Sequence, residues 1–175
     1  MTVKSNFLEK KQNFSSFSVP SSKELIFEVM SLDGLAEMHA YSTDERLYEF
    51  LEHKPFNDID ETKQYIERNI SRVKSGTALY WFCRRATDNQ LIGTCCFVNI
   101  DLNRKSTEWG YGLDPEYWCE GYILHIQEAL KAFAFEELRL NRIYSTTFAG
   151  NEIRRTNVLR HSKKCSFSVK SLALL

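Results

Sequence analysis

A carboxylate, a proline turn and a glycine at a helix start fall within fifteen residues, from Glu108 to Tyr122. The run reads Glu-Trp-Gly-Tyr-Gly-Leu-Asp-Pro-Glu-Tyr-Trp-Cys-Glu-Gly-Tyr. Alternation through Leu113 predicts a strand, Asp114-Pro115 a turn, and the apolar spacing after Gly121 a helix. A helix N-terminus presents unpaired backbone N–H groups and partial positive charge. Glycine there lets an anion approach the backbone closely. The chemistry on offer is the binding of a phosphate or diphosphate. A glycine at a helix start is also an ordinary turn residue, so the junction alone leaves both roles open.

The elements that must position this junction follow from periodicity. Leu25–Met30 reads as a strand. A helix with Leu35, Met38 and Tyr41 as its apolar stripe follows, with Asp33 as N-cap. A second short helix starts at Asp44, carries Leu47, Phe50 and Leu51 on one face, and closes at Pro55. Asp60–Lys74 is the next helix, capped by Asp60 and stopped by Gly76. Strands at Ala78–Arg84, Leu91–Ile100 and Thr107–Leu113 have hairpin spacing, hence antiparallel pairing. Gly121–Leu138 then has the period of a helix, and Arg142–Phe148 that of a strand. A weaker helix over Glu152–His161 and a strand within Cys165–Leu175 complete the order. This is an α/β (α+β) domain with a mixed sheet.

The chain has 175 residues, about one domain's worth. Residues 1–23, serine-rich around Pro20, read as an N-terminal arm, and 24–175 as a single domain. Basic and acidic residues number 23 each, which argues against a nucleic-acid partner. The balance conceals a segregation. Residues 1–152 carry 17 basic and 23 acidic side chains, a net of −6, whereas the last 23 residues carry six basic and none acidic. Five cysteines, two of them adjacent, do not suit a secreted disulfide framework. No apolar run has the length of a membrane helix and no secretory signal is visible, so a cytoplasmic protein without a membrane partner is expected. His161 and Cys165 lack further ligands at metal spacing, and no metal is expected.

The run from Glu108 resembles the acetyl-CoA-binding segment of the GCN5-related N-acetyltransferase (GNAT) superfamily, in its ribosomal-protein N-terminal acetyltransferase branch. That branch reads Glu-x-Gly-Tyr-x-Leu-x-Pro-x-Tyr-Trp-Gly-x-Gly-Tyr-Ala. The matches are Glu108, Gly110, Tyr111, Leu113, Pro115, Tyr117, Trp118, Gly121 and Tyr122. Similarity extends to Glu61–Ile66, Leu91–Thr94 and Ala134–Ile143, so it covers roughly residues 25–159. The resemblance implies a mostly antiparallel twisted sheet flanked by helices, and transfer of acetyl from acetyl-CoA to a primary amine, of a protein N-terminus or a small molecule. It implies Glu108 as general base. It implies a cofactor site of Gly110, Tyr111, Gly112, Leu113, Trp118, Cys119, Glu120, Gly121, Tyr122, Ile123 and Asn151. His39, Tyr41 and Trp81 are candidates for the acceptor side. Each has a structural alternative: Glu108 a solvated pair near Lys105, Asn151 a helix cap, the aromatics core.

The chain departs from the family pattern at two places. Cys119 stands where a glycine is usual, Glu120 where neutral or basic residues are tolerated, and Ile123 where a small residue is usual. A carboxylate beside a diphosphate costs about 1 kcal/mol in water and more in a drier site. After Asn151 the family's Gly-Phe and closing hairpin have no clear counterpart before Leu175. The C-terminal part therefore reads as truncated or altered, and an open sheet edge there would allow a homo-oligomer to pair through it. These departures give an alternative function: a catalytically impaired relative serving as a CoA-binding or protein-interaction module.

Overall fold

The computed structural model describes residues 19–49, 54–148 and 169–172. The N-terminal arm through Ser18, the proposed helix over Glu152–His161 and Asn151 lie outside them. The element order is β1 (Leu25–Val29), α1 (Leu35–Ser42), α2 (Ile59–Lys74), β2 (Ala78–Arg85), β3 (Leu91–Asp101), β4 (Ser106–Leu113), α3 (Tyr122–Ala132), β5 (Arg142–Phe148) and β6 (Val169–Leu172). It follows the periodicity closely, with differences at the ends. Asp44 caps a tight helical turn over Glu45–Tyr48; Phe50 and Leu51 lie outside the described residues.

Two caps differ from expectation. The side chain of Ser31, not Asp33, accepts the Asp33 N–H at 3.2 Å, closing a tight turn that leads into α1. Asp58, not Asp60, caps α2 by accepting the Glu61 N–H at 2.8 Å. Glu61 in return accepts the Asn57 N–H at 2.9 Å. This reciprocal arrangement satisfies donors at both sides of the helix start, whereas Asp60 sits in the first turn, where its charge meets the helix dipole. At the other end of the chain, α3 does not run straight to Leu138. The Leu138 N–H reaches back five residues to the Phe133 carbonyl at 3.1 Å. This wider turn accompanies burial of Phe133, Ala134 and Leu138 together.

The strands form one six-stranded sheet in sequence order. The junctions β1/β2, β2/β3 and β3/β4 are antiparallel; β4/β5 and β5/β6 are parallel. β3 and β4 stay in register from Gly93↔Leu113 to Val98↔Glu108. β4 and β5 pair only at Ser106↔Arg142, Thr107↔Ile143 and Glu108↔Tyr144. Beyond Tyr144, β5 pairs with β6 instead, from Ser145↔Val169 to Phe148↔Leu172.

Two clusters sandwich the sheet. One, beneath α3, contains Leu25, Phe27, Trp81, Phe97, Trp109, Ile126, Leu130 and Phe133. The other, beneath α1 and α2, contains Met30, Met38, Tyr41, Ile66, Tyr80, Phe82 and Leu91. Arg84 ties the second layer to the sheet. Its guanidinium reaches Glu28 on β1 at 2.5 Å and Glu37 on α1 at 2.8 Å. A charge this buried needs such partners, since removing them leaves it desolvated and unpaired.

Candidate active site

The site grows from what β4 lacks. On the α3 face, β4 presents Thr107, Trp109 and Leu113, all buried. Strand alternation puts Glu108, Gly110 and Gly112 on the opposite face. A side chain at Gly110 would begin 3.2 Å from the Cys96 sulfur, and one at Gly112 would meet Thr94 Oγ1 at 3.6 Å and Leu47 at 3.9 Å. Their absence opens a cleft of about 250 Å³ between β4 and the α1–α2 layer. Met38, Tyr41, Leu47, Tyr48, Phe56 and Tyr65 form its walls, and Tyr80, Thr94, Cys96, Gly110 and Gly112 its floor.

Glu108 marks the point where β4 and β5 part. It is the last β4 residue opposite β5, and it shares its sheet face with the two glycines of the cleft floor. Its Oε2 accepts a hydrogen bond from Asn99 Nδ2 at 3.0 Å. The partner is thus a neutral donor on the adjacent strand, rather than Lys105 of the alternative reading. From Trp109 to Leu113 the edge of β4 facing β5 has no strand beside it among the described residues. The Leu113 carbonyl is taken by the Trp118 indole N–H at 2.8 Å, which fixes that partly exposed ring against the end of the strand.

Past Leu113 the chain turns on Asp114, whose side chain accepts the Glu116 N–H at 3.0 Å, with Pro115 at the first turn position. Cys119 and Gly121 both adopt left-handed backbone, with φ of 66° and 87°. Two such residues bracketing Glu120 fold the loop back under the start of α3. The Leu124 N–H bonds the Gly121 carbonyl at 2.9 Å, so the preceding N–H groups have no partner within the helix. Nothing lies within 4 Å of where a Gly121 side chain would begin. Glu120 and Cys119 are exposed, and Ile123 packs against the α3-side core. The three residues that depart from the family pattern therefore do not converge on one point.

The acceptor-side candidates separate. Tyr41 lines the cleft, buried, with its hydroxyl near Thr94 but without a hydrogen bond of good geometry. Burial pushes its pKa well above the ordinary tyrosine value, so it stays a neutral hydroxyl. His39 instead turns to α2, with Nδ1 2.8 Å from Thr62 Oγ1. Trp81 does not belong to the cleft: it is core on the α3 face, edge-on to Phe97 at 5.8 Å and Phe133 at 5.4 Å. The strand period places it on one face but does not say which, and β2 is buried on both. Sequence reasoning missed Arg68 and the ring wall of Tyr48, Phe56 and Tyr65. The signal for Arg68 was its place on α2, about one turn past the inward-facing Tyr65.

Comparison with known proteins bears on the fold and the family. The acetyltransferase (GNAT) domain family matches residues 24–161. An uncharacterized N-acetyltransferase of Bacillus subtilis, YoaA, is 29% identical over 107 residues, 57% of this chain, and the chain spans 60% of that relative's length. An uncharacterized N-acetyltransferase of Bacillus licheniformis, p20, is 26% identical over 121 residues, covering 69% of this chain and 68% of the relative. Among solved structures, the RimL ribosomal L7/L12 alpha-N-protein acetyltransferase in complex with coenzyme A superposes with a TM-score of 0.71 at 18% identity, covering 81% of each chain. By the match over residues 24–161, this chain belongs to the GNAT acetyltransferase family.

Proposed function

We propose that the chain transfers an acetyl group from acetyl-CoA to a primary amine, of a protein N-terminus or a small molecule. The observation that carries this reading is the parting of β4 from β5 after Glu108↔Tyr144. The strand edge from Trp109 to Leu113, with no strand beside it among the described residues, suits the pantetheine arm, and the N–H groups at Gly121–Ile123 suit the diphosphate. The cleft on the other side of Gly110 admits the acceptor, so the two reactants meet across β4.

Direct attack by the amine nitrogen on the thioester carbonyl forms the amide as the carbon–sulfur bond breaks. Holding both reactants at β4 supplies most of the acceleration. A backbone N–H on the open edge polarises the carbonyl. Glu108, at the fork and held by Asn99, accepts the amine's proton through a water.

The test is calorimetric titration with acetyl-CoA, followed by thioester loss over an amine panel. Micromolar to millimolar binding with turnover is expected, and Glu108→Gln should lower kcat by about 10²-fold or more while leaving acetyl-CoA affinity unchanged. No binding of either acetyl-CoA or CoA would sink the reading. The exposed carboxylate of Glu120 beside the loop favours a second reading, a CoA-binding module without turnover. Binding with no acetylation of any amine would select it.

A further inference from the structure

We propose that the acceptor amine also carries a carboxylate, and that Arg68 at the rim of the cleft recognises it. The identity of the cleft as the acceptor site rests on the acetyl-transfer reading; the binding preference can be measured without it. Among the described residues lining the cleft, Arg68 is the one with a formal charge. A ligand that is only a cationic amine would find Glu108 at the fork of β4 and β5 but would meet a like charge at Arg68. An amine joined to a carboxylate removes that conflict and supplies the missing partner.

The described arginines divide into two groups. Arg46, Arg84, Arg85 and Arg104 each pair with a carboxylate, at 2.5–3.6 Å. Arg68, Arg72, Arg139 and Arg142 do not pair with any carboxylate among the described residues, and of these Arg68 and Arg72, one turn apart on α2, lie over rings of the cleft. Arg68 lies 5.8 Å over the Tyr65 ring. Arg72 lies 5.7 Å over the Tyr80 ring and donates to its hydroxyl at 2.7 Å. Both rings belong to the cleft. Stacking on a ring holds a guanidinium in place while leaving its N–H fork available, which is the geometry that grips a carboxylate.

An independent observation points to a polar ligand in the same cleft. The Tyr41 hydroxyl, on a residue 6% exposed, lines the cavity and has only Thr94 nearby, without a hydrogen bond of good geometry. A buried hydroxyl held this loosely keeps hydrogen-bonding capacity for a ligand. The remaining walls, Met38, Leu47, Phe56 and the tyrosine rings, suit an apolar body of amino-acid size. The chemical class is therefore an amine with an apolar portion and a carboxylate, either a free amino acid or an acidic peptide.

The experiment measures equilibrium binding to the CoA-loaded full chain with two matched pairs. One is phenylalanine against phenylalaninamide. The other is the C-terminally amidated dipeptides glycyl-glutamate and glycyl-glutamine. Within at least one pair the acid should bind about tenfold tighter or more, and the pair that responds identifies the source. Arg68→Gln should bring that ratio close to one, and Arg68→Lys should keep part of it. Arg68 is exposed, so both variants should keep the wild-type melting curve. Equal binding of acid and amide in both pairs, binding of neither member, or an unchanged ratio in Arg68→Gln would overturn the proposal. Arg68-dependent binding without acetylation would overturn acetyl transfer and leave this inference standing. Acetylation indifferent to the carboxylate would do the reverse.

Discussion

Cys96 and Phe97 are neighbours on β3, yet they belong to different chemistries. Phe97 is fully buried in an aromatic pack with Trp81 and Phe133. Cys96 lies on the floor of the cleft, facing Gly110 across the strand pair. The same sheet is thus closed on its α3 face and open on its α1–α2 face. The difference comes from β4, which gives Trp109 and Leu113 to the closed face and glycine twice to the open one. Stability is concentrated on one side so that the other can leave space unfilled.

The sharpest way to break this comparison is to empty the closed face. Phe97→Ala removes a ring that contacts two others and should cost about 3–5 kcal/mol in thermal or denaturant unfolding. A loss below about 1 kcal/mol would mean that the closed face does not carry the fold.

Alkaline pH probes the open face. Burial pushes Tyr48 and Tyr80 up to about 12, and Tyr41 and Tyr65 further in the same direction. A tyrosine whose folded pKa is raised binds its proton more tightly folded than unfolded. Its contribution is complete below pH about 10 and is lost as pH rises through the folded value. Stability should therefore be flat up to pH about 10 and fall towards 12, with tyrosine ionisation at 295 nm following unfolding. Ionisation complete below pH 11 in the folded protein would show the cleft to be wetter than its geometry implies.

Gly110→Val tests whether the space itself matters. The new side chain would crowd Cys96 and fill the cleft floor. Acetylation should lose about tenfold or more in kcat/KM, chiefly through the acceptor KM, while the melting temperature shifts by a few degrees at most. Unchanged kinetics would move the acceptor elsewhere.

The β4–α3 junction was legible because its chemistry is contiguous: a strand, a proline turn and a helix start each leave local marks within fifteen residues. The element order was legible for the same reason. The cleft was not, because its walls come from α1, the turn at Glu45–Tyr48, α2 and three strands, and no short-range period joins them. Trp81 shows the limit well. β2 is buried from Ala78 to Arg84, so no polar alternation marks which face is which. On α1, Tyr41 and His39 stand two residues apart, about 200° around the helix, and only one can face the cleft. The caps erred by a similar ambiguity, since Asp58 and Asp60 are both plausible starts and only the Glu61 bond decides between them.

The smallest effect concerns the loop that joins the two faces. Cys119 holds a φ of 66°, a conformation that glycine adopts freely and that costs other residues about 1 kcal/mol. Cys119→Gly should relieve that strain and gain up to about 1 kcal/mol, partly offset by the greater freedom of glycine in the unfolded chain. It leaves Glu120 and the N–H groups at the start of α3 unchanged. If strain at Cys119 is what distorts the diphosphate loop, the variant should bind CoA severalfold tighter without altering acceptor KM. If CoA affinity does not move while Glu120→Gln raises it, charge rather than backbone conformation limits the loop. That outcome would confine the cost of the departure from the family pattern to a single exposed carboxylate.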